Sequence, residues 1–307
     1  RGFQSGLSTD VFFGLGKISK VDSLVIYWYN DDSQTLYDIS TNQTVEIDFS
    51  PSKKQAYVGK DYGHVFSKAK IRGLSDIKHE ESIHNDFAKE VLLPHKMSEL
   101  GPFVTVKDID GDGKEDVFIG GARGYAAKML FQQDGRFVAM NDSLFQLDLQ
   151  SEDMESIFID YDNDGDMDLY VVSGGNEAPE GHASFQDRLY ENKGNRLFVK
   201  TEDILPSLVF SGQVVKKIDW NKDGYDDLFV FGRQVPEAYP TPVTSHILIN
   251  NKGKFEDKTV EIAPEFMNLG MVTDAEFSDL NGDGKEDLIV VGEWMPITIF
   301  YNKNQKL

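Results

Sequence analysis

The stretch DIDGDGKED at residues 108–116 places five acidic residues among nine, with an apolar, strand-like run on either side. A solvated surface turn needs one or two aspartates; carboxylates crowded at alternate positions repel one another and require a compensating cation. Asp108, Asp110, Asp112 and Asp116 fall at positions 1, 3, 5 and 9, and Gly113 falls at position 6, where a tight turn needs positive φ. Alternate side chains then converge on a hard cation. The backbone carbonyl of Lys114, at position 7, adds another oxygen, as the seventh residue does in calcium loops.

The same turn recurs three times. DYDNDGDMD supplies Asp160, Asp162, Asp164 and Asp168, with Asp166 at position 7; DWNKDGYDD supplies Asp219, Asn221, Asp223 and Asp227, with Tyr225; DLNGDGKED supplies Asp279, Asn281, Asp283 and Asp287, with Lys285. The first positions lie 52, 59 and 60 residues apart, the size of a propeller blade rather than of a single decorated loop. An EF-hand needs a bidentate Glu at position 12 and flanking helices. Position 12 here is Ile119, Val171, Val230 or Val290, and the following segments DVFIGG, DLYVVSGG, DLFVFG and DLIVVG read as strands. The ninth-position Asp is therefore expected to take the place of the Glu and close a shorter loop between two strands. The expected cofactor is Ca²⁺, up to four ions, held structurally.

Around each loop the sequence repeats one plan of four strands. PFVTVK, ESIFID, QVVKKID and DAEFSD precede the loops; KMLFQQDGR, RLYENKGNR, HILINNKGK and ITIFYNKNQ read as third strands with their turns; FVAM, LFVKT and FEDKTV read as fourth strands. A sheet of four short strands cannot bury both its faces alone, so such units stack around an axis. The expected fold is all-β: a small N-terminal β module at 1–50, a linker at 51–100 that includes a helical turn or part of a blade, and four propeller blades over 101–307. The last blade lacks its fourth strand, as if Leu307 cut it, and the first residue is Arg1 rather than Met; both point to a piece of something longer. In the first module, VDSLVIYWY and TVEIDF alternate like half-buried antiparallel strands, with a DDSQ turn and TLYDIS between them.

Composition narrows the function classes. The chain has 307 residues and a net charge of −21, which repels nucleic-acid phosphate and anionic membrane surfaces. It has no cysteine, which excludes a disulfide scaffold and a thiolate zinc site and leaves the redox compartment open. No apolar stretch reaches the roughly 18 residues of a membrane span. Low-affinity calcium loops need millimolar calcium, so the expected setting is extracellular, cell-surface or periplasmic.

The residues FFGLG, KVDSLVIYW and NQTVEI resemble the ASPIC and UnbV domain, and the D-x-[DN]-x-D-G-x-x-D units resemble FG-GAP/VCBS-type repeats. Together with LLPHKMSELGP, VVSGGNE and GEWMPI, they resemble the large Bacteroidetes surface proteins akin to cartilage acidic protein. The resemblance implies an integrin-α-like propeller, commonly seven-bladed, in an exported protein, and implies little about chemistry. Seven blades at this period need about 400 residues, more than lie beyond Gly101.

No local signature of catalysis stands out. HEESIH at 79–84 misses the zinc motif H-E-x-x-H by one residue, and reads as polar linker surface. There is no G-x-S-x-G elbow or P-loop, and GGARG at 120–124 lacks a following helix. A binding or scaffold module is therefore expected rather than an enzyme; the alternative is a propeller-based polysaccharide lyase or glycoside hydrolase with carboxylates or Tyr hidden in loops. The loops after each second strand, ARGYAA, GNEAPEGHASFQD, RQVPEAYPTPVTS and EWMPI, should gather on the face opposite the acidic turns. Their candidate recognition residues are Arg123, Tyr125, Asn176, Glu177, Arg233, Tyr239, Glu293 and Trp294, for a protein or glycan partner. The competing reading is that these side chains pack blade against blade.

Overall fold

The computed structural model describes residues 13–28, 33–49, 67 and 69–307. The chain divides into two compact units, residues 1–69 and 70–307.

In the first unit, β1 (Lys20–Tyr27) pairs antiparallel with β2 (Ser33–Ser40), with Leu24 opposite Leu36. β1 is the strand expected at VDSLVIYWY, and β2 covers TLYDIS. The DDSQ turn and the FFGLG stretch lie partly outside the described residues, as do residues 51–66 of the expected linker. TVEIDF, also read as a strand, is in no ladder among the described residues; Phe49 at its end packs edge-on against Trp28, with ring centroids 5.2 Å apart.

The second unit holds four antiparallel sheets. The first runs β3 (Val104–Lys107), β4 (Asp116–Ile119), β5 (Lys128–Gln133), β6 (Arg136–Met140); the second runs β7 (Glu152–Ile159), β8 (Asp168–Gly174), β9 (Arg188–Asn192), β10 (Phe198–Lys200). The third runs β11 (Ser211–Ile218), β12 (Asp227–Gln234), β13 (His246–Asn250), β14 (Phe255–Asp257), and the fourth has three strands, β15 (Met271–Ser278), β16 (Asp287–Glu293) and β17 (Thr298–Phe300). The first strands of successive sheets, β3, β7, β11 and β15, are neighbours. This is the arrangement of a partial β-propeller, with the first strand of each blade innermost.

The core lies between blades, as the period-2 pattern requires. In β8, Leu169 and Val171 join Phe118, Met129 and Phe131 of the first blade, while Tyr170 and Val172 join Val215, Leu228 and Val230 of the third. In β12, Phe229 and Phe231 turn the other way, onto Phe266, Val272 and Leu288. Every residue of β8 and β12 is buried, because both faces of these sheets are covered. Each such Leu, Val or Phe contributes about 1.5–3 kcal/mol. The end blades each leave one face open, so Val104 and Val106 on one side and Ile299 and Tyr301 on the other are exposed.

Polar pairs stitch the inner strands. The Thr105 hydroxyl donates to the Ser156 carbonyl at 2.8 Å, and Lys216 reaches Glu155 at 3.2 Å and Asp274 at 3.3 Å, linking three blades. Between the first two blades, the buried Arg188 guanidinium meets Asp153 at 2.6 Å, whose other oxygen accepts from the Gly121 amide at 2.8 Å. Pairing is irregular where each of the last three blades meets the loop face, between Asp153 and Ser156, Ser211 and Val214, and Val272 and Asp274. Such bulges re-aim strand ends, and here they do so beside the long loops.

Residues 70–100 belong to the same unit as the blades. Their one short helical turn, Asp86–Ala88, is 3-10. HEESIH is not simply polar linker surface: His79 bonds Glu81 at 2.6 Å with both side chains largely covered, and the Ser82 hydroxyl donates to Glu177 at 2.9 Å.

Candidate functional site

The four acidic loops fold alike, each around its own first carboxylate. One Asp108 oxygen accepts the Gly111 amide and the other the Gly113 amide, both at 2.9 Å. Asp160 takes Asp164 and Gly165, both at 3.1 Å; Asp219 takes Asp223 and Gly224, both at 3.0 Å; Asp279 takes Gly282 at 2.7 Å and Gly284 at 2.9 Å. The glycine at position 6 has φ of 82°, 96°, 92° and 79° in the four loops, and nothing lies within 4 Å of where a Cβ would stand. The backbone angle, not crowding, is what demands Gly there. Side chains at positions 3 and 5 each accept from the amide two residues on: Asp110, Asp162, Asn221 and Asn281 at 3.1, 3.3, 2.9 and 2.8 Å, then Asp112, Asp164, Asp223 and Asp283 at 3.0, 2.9, 3.0 and 3.0 Å. The last four donors are the amides of Lys114, Asp166, Tyr225 and Lys285, the residues expected to offer carbonyls.

The ninth-position Asp does more than the spacing indicates. In every loop its side chain is almost fully buried, and its two oxygens accept from two different parts of the blade. Asp116 takes the Ile109 amide at 3.1 Å and the Gln132 amide at 2.8 Å; Asp168 takes Tyr161 at 3.3 Å and Asn192 at 2.8 Å. Asp227 takes Trp220 at 3.0 Å and Asn250 at 2.7 Å; Asp287 takes Leu280 at 3.2 Å and Asn302 at 2.9 Å. This carboxylate therefore ties the loop to the third strand. The side chains of its partners are used as well: Asn192 and Asn250 are buried, each cap their own turn at Gly194 and Gly253, and Asn250 also donates to the Tyr161 carbonyl of the preceding blade at 2.8 Å. Sequence reading missed these asparagines, although an Asn stands at the end of the third strand or two residues beyond it in three of the four blades.

The donor set suits a hard cation. One carboxylate oxygen each from Asp108, Asp110 and Asp116, and one each from Asp160, Asp162 and Asp168, lie within 4.8 Å of one another. Among the described residues these are the two groups of three acids or histidines so arranged; the other two loops carry Asn at position 3. Burial pushes the Asp116 and Asp162 carboxyls up, Asp168 up to about 7 and Asp227 up to about 6, despite the amides that donate to all four. Buried carboxylates this close together stay ionised only with compensating positive charge. An all-oxygen donor set suits a hard cation rather than zinc or copper.

Residues 108–171, 160–230 and 219–290 each match the FG-GAP-like repeat. The chain belongs to the FG-GAP-like repeat family. Residues 1–55 match ASPIC and UnbV. No curated protein matches the chain. Among solved structures, a lectin from Agrocybe aegerita, studied for its specific recognition of non-reducing terminal N-acetylglucosamine, is similar at 18% identity and a TM-score of 0.38, over 60% of this chain and 45% of that one. The chain thus spans less than half that lectin's length.

At the other end of the FG-GAP-like blades, the segment 79–99 lies across the loops that follow the second strands. Asn176 and Arg233, read from the sequence as recognition residues, are buried there rather than presented to solvent. The Asn176 amide donates to Asp86 and Glu90, both at 2.7 Å, and Arg233 donates to Glu293 at 2.7 Å beneath Met97. Glu177 caps the Asn176 backbone amide at 2.9 Å and stands beside the buried Glu152, whose pKa is raised by burial and by the Glu177 charge. Arg123 reaches the Glu177 carbonyl at 2.7 Å, whereas Tyr125 is 41% exposed.

Trp294 is different. It is 75% exposed, adopts φ 57°, and donates its indole N–H to the Tyr239 hydroxyl at 2.8 Å. Tyr239 in turn donates to Glu293 at 3.2 Å, and Glu293 is paired with the buried Arg233. A large aromatic surface is thereby held in solvent by a relay anchored in the interior, in a backbone region that a Trp rarely occupies.

Proposed function

We propose that this chain is a calcium-stabilised, exported β-propeller module that binds a partner and is not built for catalysis. The observation that carries the reading is the fourfold recurrence of one loop geometry, in which clustered carboxylates join two strands and the ninth Asp ties the loop to a third. Asp108, Asp110, Asp112 and Asp116 and their counterparts would hold Ca²⁺, with the seventh-position carbonyls of Lys114, Asp166, Tyr225 and Lys285 completing the oxygen set. The ion would neutralise carboxylates that the fold has buried, so its binding is folding free energy. Low-affinity loops of this type fill at the millimolar calcium found outside the cytosol, which supports a cell-surface or periplasmic setting.

The partner, a glycan or a protein, would meet the face opposite the calcium loops, at Trp294 with Tyr239 and Glu293. An exposed aromatic held rigid beside a carboxylate and a hydroxyl offers contact area at little entropic cost. The test is a glycan and surface-protein screen with the full chain, followed by Trp294→Ala on any hit. Lost affinity with an unchanged melting temperature supports this face; turnover of a polysaccharide by the same preparation would favour the hydrolase or lyase reading instead.

A further inference from the structure

The four loops are alike in backbone but not in what the next blade sets against them. In each of the first three, the turn that follows the third strand of the next blade sits on the loop. The turn against the second loop presents Gly253, next to Asp162, and the turn against the third presents neutral Gln305, whose amide donates to the Asn221 carbonyl at 3.1 Å. The turn against the first loop presents Arg196. Its Nε donates to Asp110 Oδ2 at 2.5 Å, and its Nη2 lies 3.8 Å from Asp112 Oδ2, where Lys114 also stands at 2.8 Å.

Arg196 is placed there by more than charge. Its φ is 66°, its carbonyl accepts from the Asn141 side chain at 2.9 Å, and its guanidinium lies 5.4 Å from the centroid of the Phe131 ring. A cleft of about 530 Å³, lined by Asp110, Asp112, Phe131, Asp166 and Arg196 among others, gives the side chain room to swing away. Among the described residues, no other loop carboxylate at positions 1, 3, 5 or 9 makes an ion pair with a cation from another blade.

We propose that Arg196 is a built-in competitor for calcium at the first loop. This rests on the calcium reading above. Asp110 serves either the guanidinium or the ion, so the first loop fills at higher calcium than the all-aspartate second loop. Filling it releases Arg196 and loosens the contact between the first two blades on this face. The first loop is thus a conditional site that responds to calcium after the second has filled.

A full unit of positive charge within about 5 Å of a divalent ion at a solvated surface weakens binding on the order of tenfold. Isothermal titration of the full chain with CaCl₂ reads this directly, with Asp108→Asn identifying which class of sites belongs to the first loop. The expected result is a weak class, abolished by Asp108→Asn, that tightens about tenfold in Arg196→Gln and stays near its original affinity in Arg196→Lys. An unchanged or weakened class in Arg196→Gln overturns the proposal while leaving the calcium reading intact; absence of calcium binding at every loop overturns both. A second measurement needs no variant: the Arg196 Nε–H resonance of the unmodified protein should shift in step with the weak class, and a signal that stays fixed through saturation contradicts the competition.

Discussion

Replacing Asp227 with Ala separates the two roles assigned to the ninth-position aspartate. The side chain is fully buried and accepts from the Trp220 amide at 3.0 Å and the Asn250 amide at 2.7 Å. Truncation takes this acceptor from both donors, at up to about 1–3 kcal/mol each, and leaves the Trp220 amide only the Ile218 carbonyl at 3.0 Å. Two effects offset this: water can enter the space vacated, and the lost carboxylate was itself disfavoured by burial, its pKa pushed up to about 6. The net expectation is a loss of about 2–4 kcal/mol even with calcium removed, or roughly 5–15 °C in melting temperature for a unit of this size. Asp223→Ala is the control. It is exposed, its Oδ1 accepts only a local amide, that of Tyr225, and its Oδ2 accepts from the Asn221 side chain, so without calcium the change costs about 0.5 kcal/mol or less. With millimolar calcium both variants lose the ion's contribution at that loop. The assay is thermal and urea unfolding of both variants, calcium-free and calcium-loaded. An Asp227→Ala protein that melts with the wild type when calcium-free would refute the clamp.

Three further outcomes follow from the same geometry. In the calcium-free protein Asp168 and Asp227 titrate near 7 and 6, above the ordinary 3.8, so the native state binds more protons than the unfolded chain between about pH 4 and 7; melting temperature should therefore fall as pH rises through that window, and a rise would contradict it. The depressed Asp257, at about 2, withdraws its own stabilisation only below about pH 4 and does not confuse the reading. Arg188→Met leaves Asp153 buried and unpaired between the first two blades and should cost about 3–5 kcal/mol in denaturant unfolding, with or without calcium. Arg233→Met should lower stability and partner affinity together, because it strands Glu293, whereas Trp294→Ala should lower affinity alone; paired binding and melting measurements on the two variants distinguish them.

The acidic loops were legible because their chemistry is local. Alternate carboxylates and a glycine at the position of positive φ fall within nine residues, and their repetition at blade spacing reveals the strands around them. The clamp was half legible: Asp116, Asp168, Asp227 and Asp287 announce themselves by spacing, but their second bond goes to the third strand, some 15 to 24 residues on. The asparagines at 192, 250 and 302 carry a recurring signal before each turn, one that charge and hydropathy patterns pass over. The loop face was least legible. Nothing periodic marks residues 79–99 as a covering segment, so Asn176 and Arg233, polar residues in loops, read as exposed when Asp86, Glu90 and Met97 in fact bury them. Pairing of distant polar groups leaves no trace in a single sequence.

The central claim, that the four loops are structural calcium sites, is tested most directly by the melting temperature of the full chain, first stripped of divalent ions and then titrated with calcium, with magnesium as the control. At a calcium concentration 100-fold above its dissociation constant each occupied site adds about 2.7 kcal/mol. The predicted result is a midpoint that climbs by ten degrees or more to a plateau with calcium and far less with magnesium, and an unchanged midpoint in millimolar calcium would contradict it.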